Sequence, residues 1–181
     1  MGDKFIILIK IYNFNSYDTQ TIYDFLKKRK IWYEITEHGK IHTMKEAEDI
    51  SLPYPDAVVK NLFITDEKRQ NYYLISVKKD KRPDLKEFRK KNQTARMTFA
   101  TAQELKEILK LEMGAVTPLG LLNDDQLRVR YFMDSEIADT QQIIGVHPDD
   151  SSATVWLKVQ DLIGIIEDHG NSIVITEIKG K

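Results

Sequence analysis

A chain of 181 residues, 41% hydrophobic and 30% charged, carries enough apolar material for one sizeable core. Its 27 Lys and Arg against 28 Asp and Glu leave a net charge of −1, so a chain-wide electrostatic pull on nucleic acid is excluded. DNA is not an expected partner, and any RNA contact must come from a local patch. The absence of cysteine excludes disulfides, thiolate catalysis and Cys-ligated zinc. No apolar run reaches the roughly 18 residues of a membrane span. Phe5–Ile11 is short, contains Lys10 and lacks a small-residue cleavage site, so a signal peptide is not expected. The expectation is a soluble, cytoplasmic protein with no membrane partner.

In chain order, Lys4–Tyr12 is β-branched and predicts an extra strand, within a possible extension spanning residues 1–17. Ser16 or Asp18 caps a helix running to about Lys30, with Ile22, Phe25 and Leu26 on one face. Trp32–Glu37 reads as a strand. Thr43 caps a short helix that the Pro53-Tyr54-Pro55 turn closes off. Val58–Thr65 and Tyr72–Val77 form a hairpin around the charged turn Asp66–Asn71. Pro83 stands where a helix begins, with Leu85 and Phe88 following. Thr101 and Glu104 make a capping box ahead of Leu105, Ile108 and Leu109.

Leu111–Asp124 then places Gly114, Thr117, Pro118 and Gly120 in an apolar run. Stiff, apolar and rich in amides, it suits either a pocket wall or a buried connector. Leu127–Met133 and Gln142–Val146 read as strands. In the segment Ala153–Val159, apolar Ala153, Val155, Leu157 and Val159 alternate with Thr154, Trp156 and Lys158, the strand pattern at its clearest. Leu162, Ile163, Ile165 and Ile166 mark a helix face, and Ser172–Ile178 predicts a last strand. Helices and hairpins mixed in this way predict an α/β or α+β fold with a mixed sheet, one domain over residues 1–181.

The chain lacks a G-x-S-x-G elbow, a phosphate-binding P-loop and H-E-x-x-H. His38 and His42 lack an obvious third ligand, so neither a metal nor a cofactor is expected. His147, Asp149, Asp150, Ser151 and Ser152 are too close in sequence to converge as a triad. Lys60 lies inside the apolar strand Val58-Val59-Lys60-Asn61-Leu62-Phe63. It is either a strand lysine reaching solvent or a desolvated cation that needs an anionic or polar partner.

Three segments together point further. Lys60-Asn61-Leu62-Phe63 is followed by Gly114-x-x-x-Pro118 with Leu119-Gly120-Leu121-Leu122-Asn123-Asp124, and then by Gly145-Val146-His147-Pro148. In this order they resemble the YbaK and prolyl-tRNA synthetase-associated editing domains, in particular the free-standing deacylases of Ala-tRNA(Pro), over roughly Ile22–Gly170. The resemblance implies a YbaK-like domain with a mixed, partly barrel-like sheet surrounded by helices. It implies hydrolysis of the ester of a mischarged aminoacyl-tRNA, with alanine on tRNA(Pro) as the substrate of members carrying Gly-x-x-x-Pro. Lys60 and Gly114 would be the catalytic positions, and Asn61, Thr117, Pro118, His147 and Ser152 would border the substrate. Cysteine, serine or threonine esters are the sister reading, and a non-catalytic tRNA- or synthetase-binding module is the alternative class.

The resemblance also implies that aminoacyl-tRNA is a partner, and it brings in prolyl-tRNA synthetase. Lys78–Lys91 holds eight basic residues against three acidic ones, so Lys86, Arg89, Lys90 and Lys91 are either a solvated helix face or a tRNA contact that weakens with salt. Tyr54 or Tyr72 would stack a terminal base.

Overall fold

The computed structural model describes residues 17–40, 51–140 and 142–181. The expected strand Lys4–Tyr12, the Thr43-capped helix and His42 therefore lie outside the described residues. The expected hairpin is the centre of the larger sheet. Strand β2 (Val59–Asp66) pairs antiparallel with β3 (Tyr72–Lys78), from Val59 opposite Lys78 to Thr65 opposite Tyr72. Asp66 closes the turn, its carboxylate accepting from Gln70 N at 2.9 Å and Asn71 Nδ2 at 2.5 Å. Tyr72–Val77 of β3 are all buried, because layers cover both faces.

Three more strands complete this sheet. β4 (Met97–Phe99) runs antiparallel beside β2; β5 (Val129–Asp134) is parallel to β3, and β8 (Ile173–Thr176) is parallel to β5. Strand β4 escapes the sequence reading because three residues carry no periodicity. A second, antiparallel sheet has the order β1 (Tyr33–Glu37), β7 (Ala153–Lys158), β6 (Ile143–Val146). The sheets touch at a parallel bridge between Val58 and Gly145. The mixed α/β class expected from the sequence is what forms, with its strands shared between two sheets rather than held in one.

Helices seal the faces. Helix α1 (Thr19–Lys28) starts at Asp18, which accepts from Thr21 N at 2.8 Å, and buries Ile22 and Leu26. Helix α2 (Leu85–Asn92) is capped by Asp84, with Pro83 just outside, and drives Phe88 into a cluster with Ile64, Ile75, Val77 and Phe132. Helix α3 (Ala102–Leu109) carries the expected capping box. Burial alone would raise the Glu104 carboxyl; Arg69, Thr101 and Tyr72 outweigh it and hold it down to about 2. A short helix α4 (Ser135–Thr140) follows β5. Helix α5 (Val159–His169) buries Leu162, Ile163, Ile165 and Ile166 and ends at Gly170, whose φ of +108° suits only glycine. The main core lies between these helices and the opposite face of the larger sheet. No helix among the described residues is long and apolar enough to cross a membrane.

The alternation in β7 does not divide core from solvent. Trp156, on the face of Thr154 and Lys158, is fully buried: its ring lies against Gly145, Tyr54 packs edge-on at 5.3 Å, and Nε1 donates to Thr36 Oγ1 at 2.8 Å.

Candidate active site

The site grows from a defect in the larger sheet. Asp66 N donates to Asn71 O, while Ala100 N donates to Phe63 O. Even-numbered residues of β2 therefore direct their main-chain groups to β3, and odd-numbered ones to the other edge. Strand β4 occupies that edge only at Ile64–Asp66, and β6 meets it at Val58. The main chain of Asn61 thus faces a gap with no strand on it among the described residues. A cavity of about 340 Å³ fills this gap, and Lys60, Asn61, Gly114 and His147 all line it. Three segments far apart in sequence meet at one unpaired edge.

The side chain of Lys60 leaves β2 on the face of Leu62 and Ile64. Its Nζ donates to Lys81 O at 3.0 Å. Lys81 is itself clamped: its ammonium lies 2.5 Å from both Asp134 Oδ2 and Glu136 Oε2, and Asp134 is fully buried. Burial works to lower the Lys81 pKa, but these two carboxylates raise it overall, so the clamp keeps its charge. The carbonyl that orients Lys60 is therefore anchored through its own residue's side chain.

Asn61 leaves β2 on the opposite face and ends a directed hydrogen-bond relay. Its Nδ2 donates to Val116 O at 3.0 Å, inside the Gly114–Pro118 loop. That carbonyl can only accept, so Asn61 Oδ1 must receive, which it does from Ser76 Oγ at 2.6 Å. Ser76 in turn accepts from Tyr131 Oη at 2.9 Å. Ser76 and Tyr131 are fully buried. Deleting the middle of such a relay strands two buried polar atoms, whereas deleting its end strands none. Ser76→Ala is expected to lower stability by about 2–4 kcal/mol and Tyr131→Phe by about 1 kcal/mol or less in urea titrations. Equal losses would show that the relay is not directed.

The Gly114 loop is held from both sides. Gly114 adopts φ +92°, which glycine alone accommodates without strain, and Ala115 N closes a turn onto Glu112 O. Thr117 caps a 3-10 turn (Pro118–Asn123) that is buried throughout.

His147 enters the cavity from the end of β6. Its Nδ1 meets Ala153 O at 3.0 Å, so Nδ1 carries the hydrogen and Nε2 is left as an acceptor. Burial, aided by nearby His38, lowers its pKa and keeps the ring neutral at physiological pH. The His38 ring lies 6.4 Å away, bonded to Gly39 O and Thr154 Oγ1. Among the described residues no group of three or more His, Asp or Glu could hold a metal ion.

Next to this wall Asp149 sits at φ +69° with Oδ1 buried and unpartnered. Burial, then Asp18, Asp150 and Glu112, raises its pKa to about 7. Between pH 3.8 and 7 the folded chain binds a proton that the unfolded chain has released, so this group's contribution to stability falls as pH rises. With partial solvation the loss amounts to about 2 kcal/mol. Asp149→Asn, also at ease with positive φ, is expected to flatten that slope and to be the more stable protein at pH 8. A slope unchanged by the substitution would exclude Asp149 as its source.

The remaining expected positions fall elsewhere. Thr117 and Pro118 are buried behind the loop, and Ser152 holds the next turn, its N bonded to Asp150 Oδ1 at 2.9 Å; none of the three lines the cavity. Lys86, Arg89, Lys90 and Lys91 lie on α2, off the cavity, with Lys90 paired to Glu87 and Lys91 to Glu177. Tyr72 is buried with its hydroxyl on Glu104, and Tyr54 packs on Trp156; neither lines the cavity. The sequence reading missed the Lys81 clamp and the Ser76–Tyr131 relay. Only the alternation of polar residues within apolar strands hinted at the latter.

Residues 38–165 match the aminoacyl-tRNA editing domain family. The chain is 37% identical over 153 residues to "Prolyl-tRNA editing protein ProX" of Acetoanaerobium sticklandii, covering 84% of this chain and 93% of that one. It is 30% identical to "Prolyl-tRNA synthetase associated domain-containing protein 1" of Danio rerio, covering 84% and 83%. A crystal structure proposed to be a trans-editing enzyme for prolyl tRNA synthetase superposes with a TM-score of 0.65 at 18% identity, covering 90% of this chain and 97% of that one.

Proposed function

Because the chain belongs to the aminoacyl-tRNA editing domain family and is a hydrolase of aminoacyl-tRNA esters, we propose that its substrate is tRNA(Pro) mischarged with alanine. The observation that carries this reading is the convergence of Lys60, Asn61, Gly114 and His147 on one small cavity. An aminoacyl ester is already activated, so the site has only to hold the carbonyl, shape the acyl pocket and admit water. Lys60 has three N–H donors and spends one on Lys81 O, leaving two for the ester or the terminal nucleotide. Ala115 N is committed to its turn, so the amides of Gly114 and Val116 are the donors for the oxygen that gains charge. His147 Nε2 accepts from the α-ammonium or from water, and the substrate's own 2′-hydroxyl assists the attack. Thr117, Pro118 and Ser152 act by holding the walls in place.

In this reading the cavity admits alanine and refuses the larger cognate proline, which is the sieve that a synthetase needs for a smaller side chain. Prolyl-tRNA synthetase, the source of the mischarged ester, is the protein partner in this reading. Lys86, Arg89, Lys90 and Lys91 steer the acceptor stem, with a salt dependence to match.

The test is deacylation of purified Ala-tRNA(Pro) beside Pro-tRNA(Pro) and Cys-tRNA(Pro). Loss of the alanyl ester alone is the expected result. Turnover of the cysteinyl ester instead moves the specificity, and tRNA binding without any turnover makes the protein a binding module.

A further inference from the structure

An alanyl ester reaches this cavity attached to a nucleoside, and the mouth must meet the base. Six large apolar side chains among the described residues remain at least 40% exposed. The two most exposed, Phe99 at 61% and Met113 at 63%, both line this same cavity. They come from unconnected elements, Phe99 from the edge strand β4 and Met113 from the residue before Gly114. Isolated apolar side chains on a surface are ordinary, but the two barest ones gathered at one mouth mark a surface with an occupant.

The register gives the pair a direction. Phe99 stands opposite Ile64 and so shares a face with Leu62 and Lys60. Ile64 lies four residue steps along β2 from Lys60, a span of about 13 Å, the scale of a nucleoside carrying its acyl group. An aromatic ring and a polarisable thioether are the side chains that hold a nucleobase by its faces. We propose that Phe99 and Met113 form the stacking subsite for the 3′-terminal base of the aminoacyl-tRNA, with the acyl ester reaching inward to Lys60 and Gly114. The assignment rests on the deacylase reading above and adds the residues that read the nucleoside rather than the amino acid. It also replaces Tyr54 and Tyr72, which do not line the cavity.

The experiment uses a non-hydrolysable probe, 3′-alanylamino-3′-deoxyadenosine, and the same amide on a ribose without its base, titrated calorimetrically into the full chain. Phe99→Ala is expected to weaken the adenosine probe roughly ten- to a hundredfold and to leave the base-free probe unchanged. Phe99→Trp is expected to restore binding, Phe99→Leu is not, and Met113→Ala lies between. In turnover of Ala-tRNA(Pro), the Phe99→Ala loss is expected in KM rather than kcat.

A Phe99→Leu protein that binds like wild type would overturn stacking in favour of a plain apolar rim. An equal loss on both probes would overturn base recognition, and an unchanged affinity in Phe99→Ala would overturn the subsite. If the wild-type protein bound neither probe and cleaved no aminoacyl-tRNA, the deacylase reading itself would fall. Both substituted side chains are exposed, so these variants are expected to fold.

Discussion

Lys60→Ala is expected to reduce kcat/KM for Ala-tRNA(Pro) by about a hundred- to a thousandfold, the scale of removing one preorganised, charged donor that holds the ester or the terminal nucleotide in place. The expectation follows from how the ammonium is held. Its partner is a neutral carbonyl, not a carboxylate, so its charge is not spent inside the protein. That carbonyl belongs to Lys81, fixed in turn by buried Asp134 and by Glu136. The cation is oriented without being neutralised, which is what a site aimed at an ester or phosphate requires. Lys60→Arg should recover less than a tenth of the activity, because a planar guanidinium cannot keep the Lys81 contact and the same reach. Lys60 is only partly buried, so the melting temperature of Lys60→Ala should stay within a few degrees of wild type. Turnover by Lys60→Ala at the wild-type rate would mean that the ammonium takes no part.

The second large effect lies across the cavity. A methyl group added at Gly145 would meet the Trp156 ring well inside contact distance, with Cε3 at 2.8 Å and Cη2 at 3.0 Å. That ring has nowhere to go: Tyr54 closes it on one side, and its Nε1 is bonded to Thr36. Gly145→Ala should therefore lower stability by about 2–3 kcal/mol, a fall of roughly 4–12 °C in melting temperature for a chain of this size. Activity should fall more than tenfold as well, because Gly145 both lines the cavity and bridges to Val58. Adding Trp156→Leu should return part of the lost stability, since it removes the ring that the methyl group strikes. A neutral Gly145→Ala would show that this wall yields.

How much of this was legible in the sequence depends on whether the signal was local. The β2–β3 hairpin, the Thr101–Glu104 capping box and the Asp18 cap all follow from neighbouring residues. Strand β4 and helix α4 did not, being too short for periodicity and set by tertiary pairing. At the site, Lys60, Asn61, Gly114 and His147 were named from three motifs, and they line one cavity. The clamp on Lys60 was not foreseen, because Lys81 belongs to a basic run that reads as solvated and only the fold brings Asp134 to it. Trp156 shows the converse: the alternation around it marked the strand, but not that Tyr54 and Thr36 would cover its ring.

A strand edge left open in a sheet is ordinarily an invitation to other chains, since its unpaired amides and carbonyls template further strands and, through them, aggregates. Here the opening on β2 is bounded by the Gly145 bridge at Val58 and by β4 from Phe63 onward, so only a few residues are bare. That is too short for a foreign strand to find a register. The protein can therefore keep main-chain groups permanently available without becoming adhesive, a compromise between reactivity and solubility that rests on the three residues of β4. Lengthening the gap by unpairing β4 should show first in the solution behaviour of the protein, as self-association on storage.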